Sequence, residues 1–436
     1  MSERNYVKLT TATEKSMLSK GRIKSKGGKP IKKYSVIGPG IVLAATGIGA
    51  GDLVTSTVAG AQFGISLAWA VVIGVFLKYL LTEGVGRFTL ATGQTIVEGW
   101  RSLGQWTMGY FSIYVSLFGL IYGAAIATTC GLMMYAMFPI MPLWAWAVVH
   151  SVGGFLLIWF GRYKLFEKMI TILVGIMFTA IVGSAVMLLP SLGDIPKEAL
   201  LPSITDGSII RIFSIVGGIG GTLALAAYGY WIRAKGWKTK DMVPTMRLDV
   251  GVAYTITGMF SIALMIVSAQ FLYGANVNFE GAEGMVDFLN IYGTRFGKTA
   301  QLILNIGFWS AAFSSLIGSW NGIPYLFADF IRVARRKKLS KEAYNEPVTS
   351  KDPAYRVFLA WLTFPSLLLL LFNQPVGLVL LYAALGSLFL PFLAITQLLL
   401  LNSKQVRSDF RNKMGHNVGL VFVIVVFVTL GVVKFI

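Results

Sequence analysis

The chain is expected to fold as an all-α membrane protein of about eleven transmembrane helices. Three observations lead there. Hydrophobic residues make up 55% of its 436 residues and charged ones only 13%, which is not the composition of a soluble globular domain. Apolar runs long enough for the roughly 20 residues that cross a bilayer recur along the chain. Finally, the basic residues segregate into alternate loops.

Taken in order, the apolar segments cover 36–62, 65–91, 108–137, 143–160, 166–190, 209–232, 249–273, 299–331, 357–372, 376–401 and 418–435. The ninth is short and needs flanking residues, or a thinned bilayer, to span. Ahead of the first lies residues 1–34, a polar segment with ten Lys/Arg against Glu3 and Glu14 and no signal-peptide pattern. It reads as a disordered cytosolic arm held near anionic membrane lipid. The net charge of +19 would suggest nucleic acid, but no aromatic platform interrupts the basic run from Lys15 to Lys33, so no nucleic-acid partner is expected.

With the N-terminus inside, the loops after even-numbered spans are cytoplasmic. They hold Arg162, Lys164 and Lys168, then Arg233 to Arg247, Arg332 to Arg356, and Lys404 to Lys413. The opposite loops lean acidic, with Asp194, Glu198 and Asp206 in one and Glu280, Glu283 and Asp287 in another. The C-terminus then lies outside. An odd span count splits naturally into five, five and one. Residues 35–190 and 209–402 would be two five-helix repeats of opposite orientation, and 418–435 an extra helix.

In such repeats the first helix of each unit is interrupted at the binding site. The stretch GPGIVLAATGIGAGDLVTSTVAGAQFG, Gly38 to Gly64, carries three glycines in Gly47-Ile48-Gly49-Ala50-Gly51 and one ionisable side chain, Asp52. Each glycine costs a helix interior about 1 kcal/mol against alanine. Backbone that leaves helical geometry inside a bilayer must be buried in protein or line a cavity. A carboxylate beside it is a candidate ion ligand. The competing reading makes Asp52 an N-cap accepting from Val54 or Thr55. The sixth span holds Gly217, Gly218, Gly220, Gly221 and Gly229, a parallel signal.

Other residues read as structure. Glu83 and Arg87 form an i, i+4 intramembrane pair. His150 packs, or faces lipid, near the outer end of the fourth span, against a proton-shuttle alternative. Tyr228, Tyr230 and Trp231 beside Arg233 and Lys235 read as an interfacial belt. Gly119 and Gly123 make a close-packing face. Asn305, Ser314, Ser315 and Asn321 are too polar for lipid and face either protein or the permeation path. One cysteine, Cys130, and two histidines leave no disulfide framework and no Cys/His metal cluster. With no nucleophile–base pair or phosphate loop either, an enzyme is not expected.

Several stretches resemble the Nramp family of divalent-metal transporters. These are GPG with the following break and AGAQFG (Ala59 to Gly64), RFTLATGQ (Arg87 to Gln94), GRYKLFEKMI (Gly161 to Ile170), AAFSSLIGSWNG (Ala311 to Gly322) and LPFLAITQLLLLN (Leu390 to Asn402). They run from the first span to the tenth, in order. The resemblance implies a LeuT-type core of two inverted five-helix repeats, no cofactor, and a divalent metal ion as cargo. It also locates departures. The family's Asp-Pro-Gly-Asn break aligns with Gly49-Ala50-Gly51-Asp52, so the metal-binding Asp position is Gly49. Its Met-Pro-His aligns with Ala224-Leu225-Ala226, and its tenth-span Gln with Phe389. An Ala at the Met position is similar to the family's magnesium and manganese branch.

The expected site therefore comprises Asp52 as the metal ligand, Gly49, and opened carbonyls near Thr46, Gly47 and Ala224. Carboxylate and carbonyl oxygens favour hard cations such as Mg²⁺ or Mn²⁺. The leading expectation is a monomeric secondary carrier for such ions, with proton coupling weak or absent. The alternatives are a carrier of an amino acid on the same fold, or a membrane protein that transports nothing.

Overall fold

Glycine divides the first span in two. Helix α1 (Pro39–Gly47) stops at Gly47, and α2 (Ala50–Phe63) restarts behind Gly49 at 53° to it. The Ile48 N–H still donates to Ala44 O at 2.8 Å, so the break is narrow. These positions come from a computed structural model that describes residues 38–436 apart from 162, 190–201, 203, 205–206, 275–282, 337–339, 341–343, 345, 373 and 436. The basic arm 1–34 and the loop acids Asp194, Glu198, Asp206 and Glu280 lie outside the described residues.

Four further helices complete the first half as spans: α3 (Ala68–Thr92), α5 (Gln105–Met137), α6 (Leu143–Phe160) and α7 (Tyr163–Leu188), with a short α4 (Ile96–Leu103) between α3 and α5. Thr95 and Glu98 start α4 with a reciprocal capping box, each side chain meeting the other's N–H. The sixth span is again two helices, α8 (Ser208–Gly218) and α9 (Leu223–Ala234). Gly220 and Gly221 in the gap have φ of 75° and 71°, left-handed values that cost an L-residue about 1–2 kcal/mol.

The second half continues with α10 (Val243–Leu272), a short α11 (Glu283–Phe296), α12 (Lys298–Ala334), α13 (Pro353–Leu367), α14 (Pro375–Leu401) and α15 (Met414–Phe435). The short ninth apolar run is completed at both ends, since α13 begins at Pro353 and a 3₁₀ turn extends it to Phe372. Among the described residues, nine helical stretches and the bent α1–α2 pair are long and apolar enough to span. The described apolar part of α15, Met414–Thr429, is shorter.

Burial sorts centre from periphery. The apolar windows of α5 and of the α8–α9 span are 78% and 83% buried, those of α6 and α13 only 28% and 33%. Phe160, Met187 and Leu371 stand 76%, 71% and 83% exposed, a surface suited to hydrocarbon and not to water. Gly119 and Gly123 do bring α5 close to α13: a Cβ on Gly123 would lie 2.2 Å from Leu362 O. At the centre α1 packs on α9 and α2 on α8, with α10 along both halves of the first span and α12 against α1, α5 and α7. The two broken spans meet backbone to backbone, for a Cβ on Gly47 would fall 2.8 Å from Gly220 O and 2.9 Å from Gly220 C.

Candidate ion site at the two helix breaks

Asp52 is the third residue of α2 and is fully buried. Its carboxylate accepts from the Gly49 N–H at 3.3 Å, the Gly220 N–H at 3.2 and 3.3 Å, and Ser261 Oγ at 3.0 Å. The cap reading needs correction. The side chain does not turn to Val54 or Thr55 but reaches back to the residue before the helix, one arm of a capping box whose other arm glycine cannot supply. Its remaining donors come from the opposite half of the chain. A carboxylate also complements the positive end of the α2 dipole.

Facing it is a residue that reading the sequence passed over. Lys78 sits in the middle of α3 with no solvent exposure. Its ammonium donates to Gly217 O at 2.9 Å, to Gly221 O at 2.7 Å and to Ile219 O. The signal was available: a lysine deep in a 25-residue apolar helix is a functional flag by default. The two charges act on each other across the break. One peptide group lies between them. Its N–H, from Gly220, points to Asp52, and its C=O, from Ile219, points to Lys78.

The other expected site residues are placed as follows. Thr46 O accepts from Ser315 Oγ at 2.8 Å, and Ala45 O from Ser314 Oγ at 3.4 Å, so the loosened end of α1 is met by hydroxyls of α12. Gly47 supplies the close approach to Gly220. A Cβ on Gly49 would sit 2.2 Å from Ser315 Oγ, so Ser315 fills the space a side chain there would need. Ala224 is corrected: it is the second residue of α9, and the open carbonyls of the sixth span belong to Gly217, Ile219 and Gly221 instead. Tyr122 OH bonds Ser315 and Ser319 Oγ at 3.1 and 2.7 Å and extends the hydroxyl shell. No group of three or more His, Cys, Asp or Glu gathers among the described residues. A cation here would be held by Asp52 with backbone and hydroxyl oxygens.

Asn305, Ser314, Ser315 and Asn321 of α12 are all buried. Ser315, Gly318, Gly322, Tyr325, Asp329 and Arg332 recur every three or four residues and so share one face. From Ser315 to Asp329 that face runs about 21 Å at 1.5 Å per residue. It ends at a cavity of about 1160 Å³ lined by Glu98, Arg101, Tyr230, Asp329, Arg332 and Tyr344 among others. Arg332 straddles Asp329 and Glu98, at 2.6 and 3.0 Å, and stacks on the Tyr344 ring at 4.8 Å. Burial alone would raise the Glu98 pKa, but the Thr95 N–H, the Arg332 guanidinium and the Tyr344 hydroxyl hold it below its ordinary value.

The expected aromatic belt is overturned. Tyr228 and Trp231 are buried at 0% and 1% exposure. Tyr228 donates to Asp249 at 2.8 Å, Tyr230 to Asp329 at 2.6 Å and Trp231 to Asn321 at 3.2 Å. Aromatic rings next to lysine and arginine suit an interface in one dimension, but α9 is enclosed by α1, α3 and α12. Glu83 and Arg87 do pair, at 3.0 Å, within a larger cluster. Glu83 also meets Arg247 and His416, both at 2.9 Å, and Arg87 bonds Phe410 O and Asn412 Oδ1. His150 is packed: Trp309 donates to its Nε2 at 2.9 Å while Nδ1 lies 2.7 Å from Trp146 O. Indole only donates and a carbonyl only accepts, so this ring carries one proton, on Nδ1.

A family model described as Natural resistance-associated macrophage protein-like, Nramp, matches residues 40–436. An uncharacterized protein of Pasteurella multocida is 22% identical over 323 residues, covering 72% of this chain and 74% of that one. The divalent metal cation transporter MntH of Yersinia pestis is 23% identical over 315 residues, 68% and 74% of the two chains. The Eremococcus coleocola manganese transporter superposes with a TM-score of 0.76 at 15% identity over 96% of this chain and 90% of that one. MhsT in complex with L-phenylalanine superposes at 0.60 and 13% identity, over 91% and 98%. These structural likenesses bear on the fold.

Proposed function

This chain belongs to the Nramp family, and we propose that it is a secondary carrier that moves divalent metal cations across the membrane by alternating access. One observation carries the reading: the carboxylate of Asp52 lies where two broken spans meet, beside backbone oxygens freed from helical bonding. The relatives named above as metal transporters, none of them an enzyme, support it. An all-oxygen donor set with no thioether suits a hard ion, Mn²⁺ or Mg²⁺. Proton coupling is weak or absent, since Ala226 stands at the family's sixth-span His position and both nitrogens of His150 are already engaged.

The two five-helix repeats are 35–190 and 209–402, with 418–435 as the added helix. The basic loops and the arm 1–34 face the cytoplasm and its anionic lipids, the C-terminus faces outward, and a monomer is the working unit.

The test is flux. Purified protein in liposomes passes Mn²⁺ or Mg²⁺, and Asp52→Ala cuts that flux at least about tenfold, the factor for about 1.4 kcal/mol of lost ligation. Unchanged flux would remove Asp52 from the ion path. A vesicle-interior pH dye stays flat during uptake if coupling is absent.

A second reading has one observation behind it. Asp52 and Lys78 offer opposite charges on either side of one break, as a zwitterionic amino acid would require. Competition separates the two: excess amino acid leaves metal uptake unchanged if the cargo is a metal, and blocks it if the site takes a zwitterion.

A further inference from the structure

We propose that Lys78 is the carrier's own counter-cation, which takes turns with the metal on the oxygens of the sixth-span break and allows the carrier to return without cargo. The inference rests on the metal-carrier reading above. An ammonium at the centre of a membrane helix is expensive unless it is paired. Here all three of its N–H donors are used, on Gly217 O, Ile219 O and Gly221 O. Two of those carbonyls belong to the break. The third lies in the last turn of α8, where the helix dipole presents its negative end. Open carbonyls of this kind are what an interrupted membrane helix offers to a cation. A second cation on these three carbonyls would sit at contact distance from the ammonium they already hold and be repelled by it, so Lys78 and a metal ion are alternatives there.

The same geometry ties Lys78 to Asp52 through the peptide group of Ile219 and Gly220, with its N–H on the carboxylate and its C=O on the ammonium. If Lys78 lost its charge, Asp52 would stand at 0% exposure with no positive partner among the described residues. Removing one member of a buried pair is strongly destabilising because the other charge is left uncompensated. A bound metal ion supplies the missing charge. The lysine is therefore needed for the step in which cargo is absent, and it must move aside in the step in which cargo is present.

Net uptake requires the carrier to return empty, whereas exchange of metal for metal does not. The full-length protein, reconstituted in liposomes, is assayed with radiolabelled Mn²⁺ for uptake into metal-free vesicles and for exchange into Mn²⁺-loaded vesicles. In Lys78→Met the ratio of net uptake to exchange falls at least about a hundredfold, the scale set by an orphaned buried charge. A ratio equal to that of the wild type overturns the inference. Thermal unfolding in detergent supplies a second measurement that does not depend on transport. Lys78→Met lowers the midpoint, and the double variant Asp52→Asn/Lys78→Met regains most of the loss. A double variant no more stable than Lys78→Met also overturns the inference. If the wild type moves neither Mn²⁺ nor Mg²⁺ in either assay, the metal-carrier reading fails, and the thermal comparison still decides whether the two charges are partners.

Discussion

Replacing Glu83 by glutamine should loosen the last helix from the bundle. Glu83 has no solvent exposure, and three side chains meet it: the Arg87 and Arg247 guanidiniums through Nε at 3.0 and 2.9 Å, and the His416 ring through Nε2 at 2.9 Å. Glutamine keeps the shape but loses the charge, and it turns an NH₂ toward groups that are themselves donors. Removing one member of a buried ion pair costs about 3–5 kcal/mol. The low end applies, since Arg87 retains Phe410 O at 2.7 Å and Asn412 Oδ1 at 2.8 Å. The Arg247 side chain is 47% exposed, so water replaces its bond and Arg247→Ala should cost no more than about 1 kcal/mol. Chemical unfolding in detergent measures both. Because Phe410 and Asn412 tie the segment before α15 to α3, and His416 ties the first turn of α15 to it, protease cutting near Lys404 should rise in Glu83→Gln and not in Arg247→Ala. Equal losses in the two variants, or a Glu83→Gln change below about 0.5 kcal/mol, would refute the argument that burial sets the cost of losing each partner.

Two further outcomes follow from the same geometry. Gly220→Ala pays about 1–2 kcal/mol for a left-handed L-residue and sets a methyl 3.1 Å from Tyr254 Cε1. Gly93→Ala has a similar φ of 71° and open space around it, so only the first should reduce metal flux; parallel losses would show that backbone strain alone is responsible. Glu98 has a folded pKa below its ordinary 4.5. The stability it lends is therefore full above that value and is lost as pH falls through the folded pKa. Glu98→Gln removes the stability already at neutral pH and flattens the acid limb of an unfolding profile between pH 7 and pH 3; an unchanged limb would exclude Glu98 as its source.

The helices and both interruptions were legible in the chain itself because their causes are local. Twenty apolar residues in a row have few fates other than a span, and Gly47-Ile48-Gly49 or Gly220-Gly221 penalise a helix wherever they occur. The family was legible for a related reason: short motifs such as those around Asp52 and Asn321 keep their order along the sequence. Partnership was not legible. Tyr228, Tyr230 and Trp231 have the composition of an interface, and only the enclosure of α9 by α1, α3 and α12 turns them inward, onto Asp249, Asp329 and Asn321. Lys78 is an intramembrane charge in any reading, but its partners lie about 140 residues away in sequence. Hydropathy and glycine act on the residues next to them, so the chain by itself determined where helices run and where they break. Charge compensation acts through space, so only the tertiary structure decided that the acid of the first break faces a lysine held by the carbonyls of the second.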